Sequence, residues 1–222
     1  MSLIKIENVS KVYKNGEFEV NALQDISLNV EKGEFLSIIG TSGSGKSTLM
    51  NIIGCLDYPT KGKYLLKDRN VAEIHERELC EIRRQNIGFV FQKFNLISTL
   101  SAFENVALPL MYSGVDRAHR EERVNKALLS VGLEKRMNHK PCELSGGQQQ
   151  RVAIARAIVT EPEIILADEP TGNLDSTSAE QIMRLLMMLN EKGKTIVLIT
   201  HDKKTADYSK RKIAVQDGKI IV

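Results

Sequence analysis

Apolar and polar positions alternate along Leu3-Ile4-Lys5-Ile6-Glu7 and again along Ile26-Ser27-Leu28-Asn29-Val30, a period of two that predicts strands. A turn at Glu31-Lys32-Gly33-Glu34 leads into the apolar run Phe35-Leu36-Ser37-Ile38-Ile39, so the first 40 residues read as β-structure. A glycine-rich loop, Gly40 to Gly45, follows, and then a helical stretch from about Lys46 to Leu56. Residues 73–86 are charged with sparse apolar positions, the pattern of a surface helix, and Ile87-Gly88-Phe89-Val90-Phe91 is a short strand. From about 93 to 158 the period is helical: Val124, Ala127, Leu128 and Val131 lie on one face, with Gly132 as the stop. Ile164-Ile165-Leu166 and Thr195-Ile196-Val197-Leu198-Ile199 are continuous apolar runs, as strands buried on both faces require. Between them Ile182, Leu185, Leu186 and Leu189 mark a helix, with a capping box expected at Thr177 and Glu180 and its end at Gly193. Strands alternating with helices predict an α/β fold with a mostly parallel sheet, to which the β-rich start and the helical middle are additions.

The chain has 222 residues, 42% hydrophobic and 27% charged, which suits one large folded domain or two small ones and excludes a disordered chain. Its net charge of +3 is too small to predict nucleic-acid binding. No apolar stretch reaches the roughly 20 residues of a transmembrane helix. Lys5 and Glu7 interrupt what a signal peptide would need, so the chain is expected in the cytoplasm. Cys55, Cys80 and Cys142 form no CxxC pair and read as reduced thiols. His75, His119 and His139 sit in polar stretches without metal-ligand spacing, and Met183, Met187 and Met188 read as helix packing. Lys203-Lys204 and Lys210-Arg211-Lys212 make a basic stretch that reads as a solvated face.

Three segments carry chemistry. Gly40-Thr41-Ser42-Gly43-Ser44-Gly45-Lys46-Ser47 matches the phosphate-binding loop G-x-x-x-x-G-K-[ST] at every fixed position, between a buried strand and a helix. Its glycines let backbone N–H groups converge on an anion at a helix N-terminus, Lys46 would reach the β/γ-phosphates and Ser47 would hold Mg²⁺. Ile164-Ile165-Leu166-Ala167-Asp168-Glu169 is an apolar strand ending in two acids. A carboxylate there holds the metal, a role assigned to Asp168, and Glu169 is placed to orient or deprotonate an attacking water. Leu144-Ser145-Gly146-Gly147-Gln148 precedes an Ala-rich helix with Ser145 as its N-cap. This is an ordinary helix start or a second candidate anion site, one without a lysine that could complete a site whose other half lies elsewhere.

Leu144 to Gln148 is identified as the signature motif of ATP-binding cassette (ABC) ATPases, and the family's other motifs follow in order. Tyr13 matches the aromatic that stacks on adenine, Gln92 the glutamine at the junction of core and helical subdomain, Asn173-Leu174-Asp175 the dimer loop, and His201 the histidine that senses the γ-phosphate. Thr48 completes the phosphate loop. The resemblance implies a P-loop core at 1–92 and 159–222, including an N-terminal antiparallel β portion, and an inserted helical signature subdomain at 93–158. It implies Glu169, His201 and Gln92 as catalytic residues, Ser47, Gln92 and Asp168 as Mg²⁺ ligands, and a head-to-tail dimer with ATP between one copy's phosphate loop and the other's signature motif. The segments 54–60, 104–110, 145–151 and 168–176 resemble the branch of lipoprotein-release, macrolide-export and antimicrobial-peptide-resistance ATPases, which work with a membrane permease, separate or fused.

The implied function is ATP hydrolysis that drives a permease from the cytoplasmic face of the membrane. The alternative is a regulatory role in cell division or peptide sensing. A GTPase would carry Asn-Lys-x-Asp, but Asn125-Lys126 is followed by Ala127-Leu128. A DNA- or ribosome-acting cassette would need a coiled-coil insertion or second cassette, for which this length leaves no room. The resemblance implies no nucleic-acid partner. The region from Lys93 to Leu100 is expected to line the groove that receives a short helix of the permease.

Overall fold

The computed structural model describes residues 2–16 and 18–221. In chain order the elements are β1 (Ser2–Asn15), β2 (Phe18–Glu31), β3 (Phe35–Ile39), α1 (Lys46–Ile53), β4 (Lys61–Leu66), β5 (Arg69–Asn70), α2 (Glu76–Asn86) and β6 (Ile87–Phe91). Then come α3 (Ala102–Tyr112), α4 (Arg117–Ser130), α5 (Gly146–Ile158), β7 (Ile164–Asp168), α6 (Ser176–Glu191), β8 (Thr195–Thr200), α7 (Lys203–Ala206), β9 (Arg211–Gln216) and β10 (Lys219–Ile221).

Two sheets result. An antiparallel sheet has the order β2-β1-β4-β5, and a second has the order β10-β9-β3-β8-β7-β6. In the second, β9, β3, β8, β7 and β6 run parallel and β10 adds an antiparallel edge.

The apolar strands are continuous because each face of this sheet meets a different core. On β7, Ile165 and Ala167 join Val106, Leu128, Val152 and Leu186 of the helices, while Ile164 and Leu166 join the other side. On β8, Ile196 and Leu198 point one way and Val197 and Ile199 the other. The inserted helices and α6 thus cover one face, and the antiparallel sheet with α1 covers the other.

The same register lines up the chemistry. Ile39 pairs with Thr200, Ile199 with Asp168, and Asp168 with Phe91. The next residues, Gly40, His201, Glu169 and Gln92, therefore leave the sheet together at the carboxyl ends of its parallel strands, where open α/β sheets bind ligands. Backbone crowding selects glycine there: a Cβ on Gly40 would lie 2.3 Å from the Val215 carbonyl oxygen of the neighbouring strand.

Two expectations change in detail. The helix expected to begin with Thr177 and Glu180 starts earlier: Asp175 is its N-cap and accepts from the Ser178 amide at 2.9 Å. The helix after the phosphate loop ends at Ile53, and Cys55 turns the chain with φ of 55°.

Candidate active site

The phosphate loop curls between β3 and α1, with Gly45 in the left-handed region at φ 105°. Lys46 folds back over the loop and donates to the carbonyl oxygens of Gly40 (2.8 Å) and Thr41 (2.6 Å) and to Ser44 Oγ (3.4 Å). Burial lowers its pKa from the ordinary lysine value, and the charges of Glu169 and Asp168 oppose that shift. The C-terminal hairpin braces the loop: the Gly218 amide donates to the Ser44 carbonyl at 3.0 Å.

Asp168 ends β7. Burial first, and then the Glu169 charge, push its carboxyl above the usual carboxylate range, with Lys46 pulling the other way. Glu169 adopts φ 45°, an uncommon backbone state for a non-glycine residue. Its amide is tied to the Ile199 carbonyl at 2.9 Å and its own carbonyl accepts from Gly172 at 3.0 Å. Its Oε1 meets the His201 ring Nδ1 at 2.6 Å and the His201 amide at 3.0 Å, and Oε2 accepts from Thr200 Oγ1 at 3.3 Å. The carboxylate is thereby aimed by two residues of the neighbouring strand end.

Gln92 at the end of β6 is held by the loop after the acids: Asn173 Nδ2 donates to its carbonyl at 3.0 Å, and its own Nε2 approaches Asn173 Oδ1 at 3.4 Å. Lys46, Gln92, Asp168, Glu169 and His201 line one cleft of about 1260 Å³, together with Tyr13, Gly40, Thr41, Ser42, Gly43, Gly45, Ser47 and Thr48. Ser44 is buried beneath the loop and braces it.

The signature segment lies elsewhere. Ser145 caps α5 in a full capping box with Gln148: its Oγ accepts from the Gln148 amide and its own amide donates to Gln148 Oε1. Leu144 is buried, Gly146 packs against Leu174, and a Cβ on Gly147 would come within 2.9 Å of Ser178 Oγ. Ser145, Gly147 and Gln148 line a second hollow of about 380 Å³ with Lys135, Arg136 and Arg151, and no residue is common to this hollow and the cleft. Asp175 lines neither, its carboxylate engaged in capping α6.

Four contributions escaped the reading of the sequence. Lys11 and Asp57 hold Tyr13, and their proximity in space is a matter of strand and turn geometry. Asn173 grips Gln92, and buried Gln150 of α5 donates to the Pro170 carbonyl, next to Glu169, at 2.8 Å. Gln150 had one available signal, a polar residue on the apolar face of a helix.

A model of the ABC transporter family matches residues 23–172. The chain belongs to the ABC transporter family. It is an ATP-binding cassette and an ATPase of that family. It is 52% identical over 219 residues to the "Uncharacterized ABC transporter ATP-binding protein YknY" of Bacillus subtilis, covering 99% of this chain and 95% of that one. It is 51% identical to the "Macrolide export ATP-binding/permease protein MacB" of Hyphomonas neptunium over 99% of this chain but only 34% of that protein, so it spans about a third of this relative's length. These relatives match the macrolide-export and lipoprotein-release branch to which the segments at 54–60, 104–110, 145–151 and 168–176 pointed. The solved structure "Dimeric Structure of MJ0796, a Bacterial ABC Transporter Cassette" superposes with a TM-score of 0.90 at 51% identity, covering 99% of this chain and 97% of that one. A second, described as a dimeric post-hydrolysis state of the same cassette bound to ADP and Pi, has a TM-score of 0.89 at 50% identity.

Proposed function

We propose that this cassette hydrolyses Mg²⁺–ATP within a head-to-tail pair of its own copies and that the closing and opening of the pair drives a membrane permease of the export type. The observation that carries this reading is the separation of the two cavities. One chain holds the phosphate loop, Glu169 and His201 in one cleft and Ser145, Gly147 and Gln148 in another, so each is half of a site. A second copy turned head-to-tail joins the halves twice. The dimeric state of the MJ0796 cassettes supports the same reading.

In this reading the loop amides and Lys46 bind the phosphates, and Ser145 to Gln148 of the other copy close over the γ-phosphate at the N-terminus of α5. Glu169 accepts a proton from the attacking water, and His201, in contact with Glu169, faces the γ-phosphate. Ser47, Gln92 and Asp168 would hold Mg²⁺. The donors fit: hydroxyl, amide and carboxylate oxygens suit a hard cation, and among the described residues no cluster of three or more His, Cys, Asp or Glu makes an all-protein cage. Bound there, the ion would supply neutralisation of phosphate charge. Tyr13 stacks on the base and Asp175 stands at the interface between copies. Residues 93–158 act as a helical body hinged to the core, 1–92 and 159–222, at Gln92.

The head-to-tail assignment is tested by complementation. Lys46→Ala and Ser145→Arg should each be inactive alone. Mixed, they form heterodimers in which the intact phosphate loop of the second variant meets the intact signature motif of the first, so activity returns. Mixing that restores nothing, with both variants folded and able to dimerise, overturns the shared-site reading.

No helix of the described residues is long and apolar enough to cross a membrane, and the reading puts the cassette against the cytoplasmic face of the permease. Of the expected docking stretch, Ile97 is exposed, while Phe94, Leu96 and Leu100 are partly buried and Leu96 packs on the core. A groove of about 520 Å³ lies beside it, lined by Leu56, Arg83, Arg84, Phe89, Phe91 and Asn95 among others. Leu56→Glu on the groove and Ile97→Glu on the stretch are both expected to keep basal ATPase activity, being outside the cleft. Loss of permease co-purification in Leu56→Glu assigns docking to the groove, and loss only in Ile97→Glu assigns it to the stretch. Normal coupling in both moves the contact elsewhere.

A further inference from the structure

The stacking residue is not a free side chain. Tyr13 sits in β1 and lines the cleft, with 40% of its surface exposed. An aromatic ring in that position has two rotatable bonds and must be ordered each time a base binds, which costs affinity. Here the ordering is already done. The Tyr13 hydroxyl donates to Asp57 Oδ2 at 2.7 Å. The other carboxylate oxygen, Asp57 Oδ1, accepts from Lys11 Nζ at 2.6 Å and from the Tyr58 amide at 2.7 Å. Lys11 Nζ also donates to the Tyr58 carbonyl at 2.8 Å and stands 4.8 Å from the centroid of the Tyr13 ring. Tyr13 lines the cleft and Lys11 does not.

The anchor belongs to the phosphate end of the site. Asp57 follows α1, the helix that starts at Lys46, and the amides of Leu56 and Asp57 both return to the Asn51 carbonyl, at 2.8 and 3.2 Å. The eight residues of α1 rise about 12 Å, so one rigid element carries the phosphate loop at one end and the tether of the ring at the other. Val20, opposite Tyr13 in the β1–β2 ladder, adds an apolar wall to the same end of the cleft.

We propose that Asp57 and Lys11 are positioning residues for the nucleobase: they lock the Tyr13 ring as a pre-formed platform at a set distance from the phosphate loop. The inference rests on the reading of this cleft as the nucleotide site. The bond network persists at neutral pH. Burial, and then the bond to Asp57, raise the Tyr13 phenol above its usual value, so it remains a donor. Burial pushes the Asp57 carboxyl up, but the bonds from Lys11, Tyr13 and the Tyr58 amide outweigh it and hold it below the usual carboxylate range.

The test compares two ligands with the same phosphate chain, ADP and inorganic pyrophosphate, by calorimetry. The wild type should bind ADP more tightly than pyrophosphate. Asp57→Ala should weaken ADP about threefold to tenfold, the scale of one immobilised side chain, and leave pyrophosphate within about twofold. Asp57→Asn keeps an oxygen that accepts from the Tyr13 hydroxyl and should recover most of the loss. Tyr13→Phe should match Asp57→Ala, and the double variant should lose no more than either. If Asp57→Ala does not fold, Lys11→Met carries the same comparison. Equal loss of both ligands, or ADP binding unchanged in Asp57→Ala, overturns the inference and makes the network a support of α1 alone. A wild type that does not distinguish ADP from pyrophosphate overturns instead the base-stacking reading beneath it.

Discussion

Glu169→Gln is expected to stop turnover and leave the chain as an ATP-held dimer. The substitution keeps the size of the side chain and most of its contacts. The amide oxygen takes the place of Oε1 and still accepts from the His201 amide and ring, and the new NH₂ takes the place of Oε2 and faces Thr200 Oγ1. What is lost is the capacity to accept a proton from water. General-base catalysis contributes about 10²–10⁴-fold, so hydrolysis should fall by that factor while nucleotide binding survives. Because each closed pair buries two ATP molecules, ATP then stabilises the pair by mass action, with no chemistry to release it. Light scattering should move from the 24.8 kDa of one chain to twice that mass on addition of ATP, and not on addition of ADP. A folded Glu169→Gln protein that stays monomeric at saturating ATP, beside an active wild type, overturns the dimer mechanism or the role of Glu169.

The backbone explains why a substitution so mild is so informative. Glu169 is held at φ 45° by bonds from β8 and by the turn to Gly172. Gln150 fixes the next carbonyl from α5, the helix whose first turn is the signature motif. In the proposed head-to-tail pair, the residue assigned to a chain's own ATP would thus be linked, through Pro170, to the helix assigned to the other copy's ATP.

The parts of this molecule that were legible in the sequence are those written in local pattern. Ile164 to Leu166 and Thr195 to Ile199 are apolar without interruption because both sheet faces are buried, and that pattern needs no knowledge of the partners. The phosphate loop and the Ser145 cap are local too, each defined within a few residues. The elements that were missed have their pattern masked. β4 begins Lys61-Gly62-Lys63, and β9 begins Arg211-Lys212, so charge hides a strand. Arg211 is spent across the fold on Glu34 and on the Asn29 carbonyl, and Lys212 locally on Asp207. The α6 cap was misplaced by two residues because Asp175 and Thr177 are both good cap residues, and only the path of the preceding loop, tied to Gln92 through Asn173, decides between them. The aim of Glu169 by His201, the tether of Tyr13 and the division into two cavities depend on residues far apart in the chain, and only the register of the sheets brings them together.

Lys46→Ala is expected to cost both nucleotide affinity and turnover. Lys46 is the cation of the phosphate loop, and hydrogen bonds to charged groups are worth about 1.5–3 kcal/mol each, or about tenfold to a hundredfold in affinity. Its ammonium donates to the Gly40 and Thr41 carbonyls and to Ser44 Oγ, so it also ties the loop together. Removing it therefore acts twice, on the charge that meets the phosphates and on the loop that presents the amides. Lys46→Met separates the two effects, since it restores the aliphatic stem without the charge. If charge dominates, both variants lose ATP binding to a similar degree and hydrolysis falls to background in both, with melting temperatures near the wild type. If loop shape dominates, Lys46→Met recovers a large part of the binding. Undiminished hydrolysis in a folded Lys46→Ala protein is the result that removes this loop, and with it the cleft, from the chemistry.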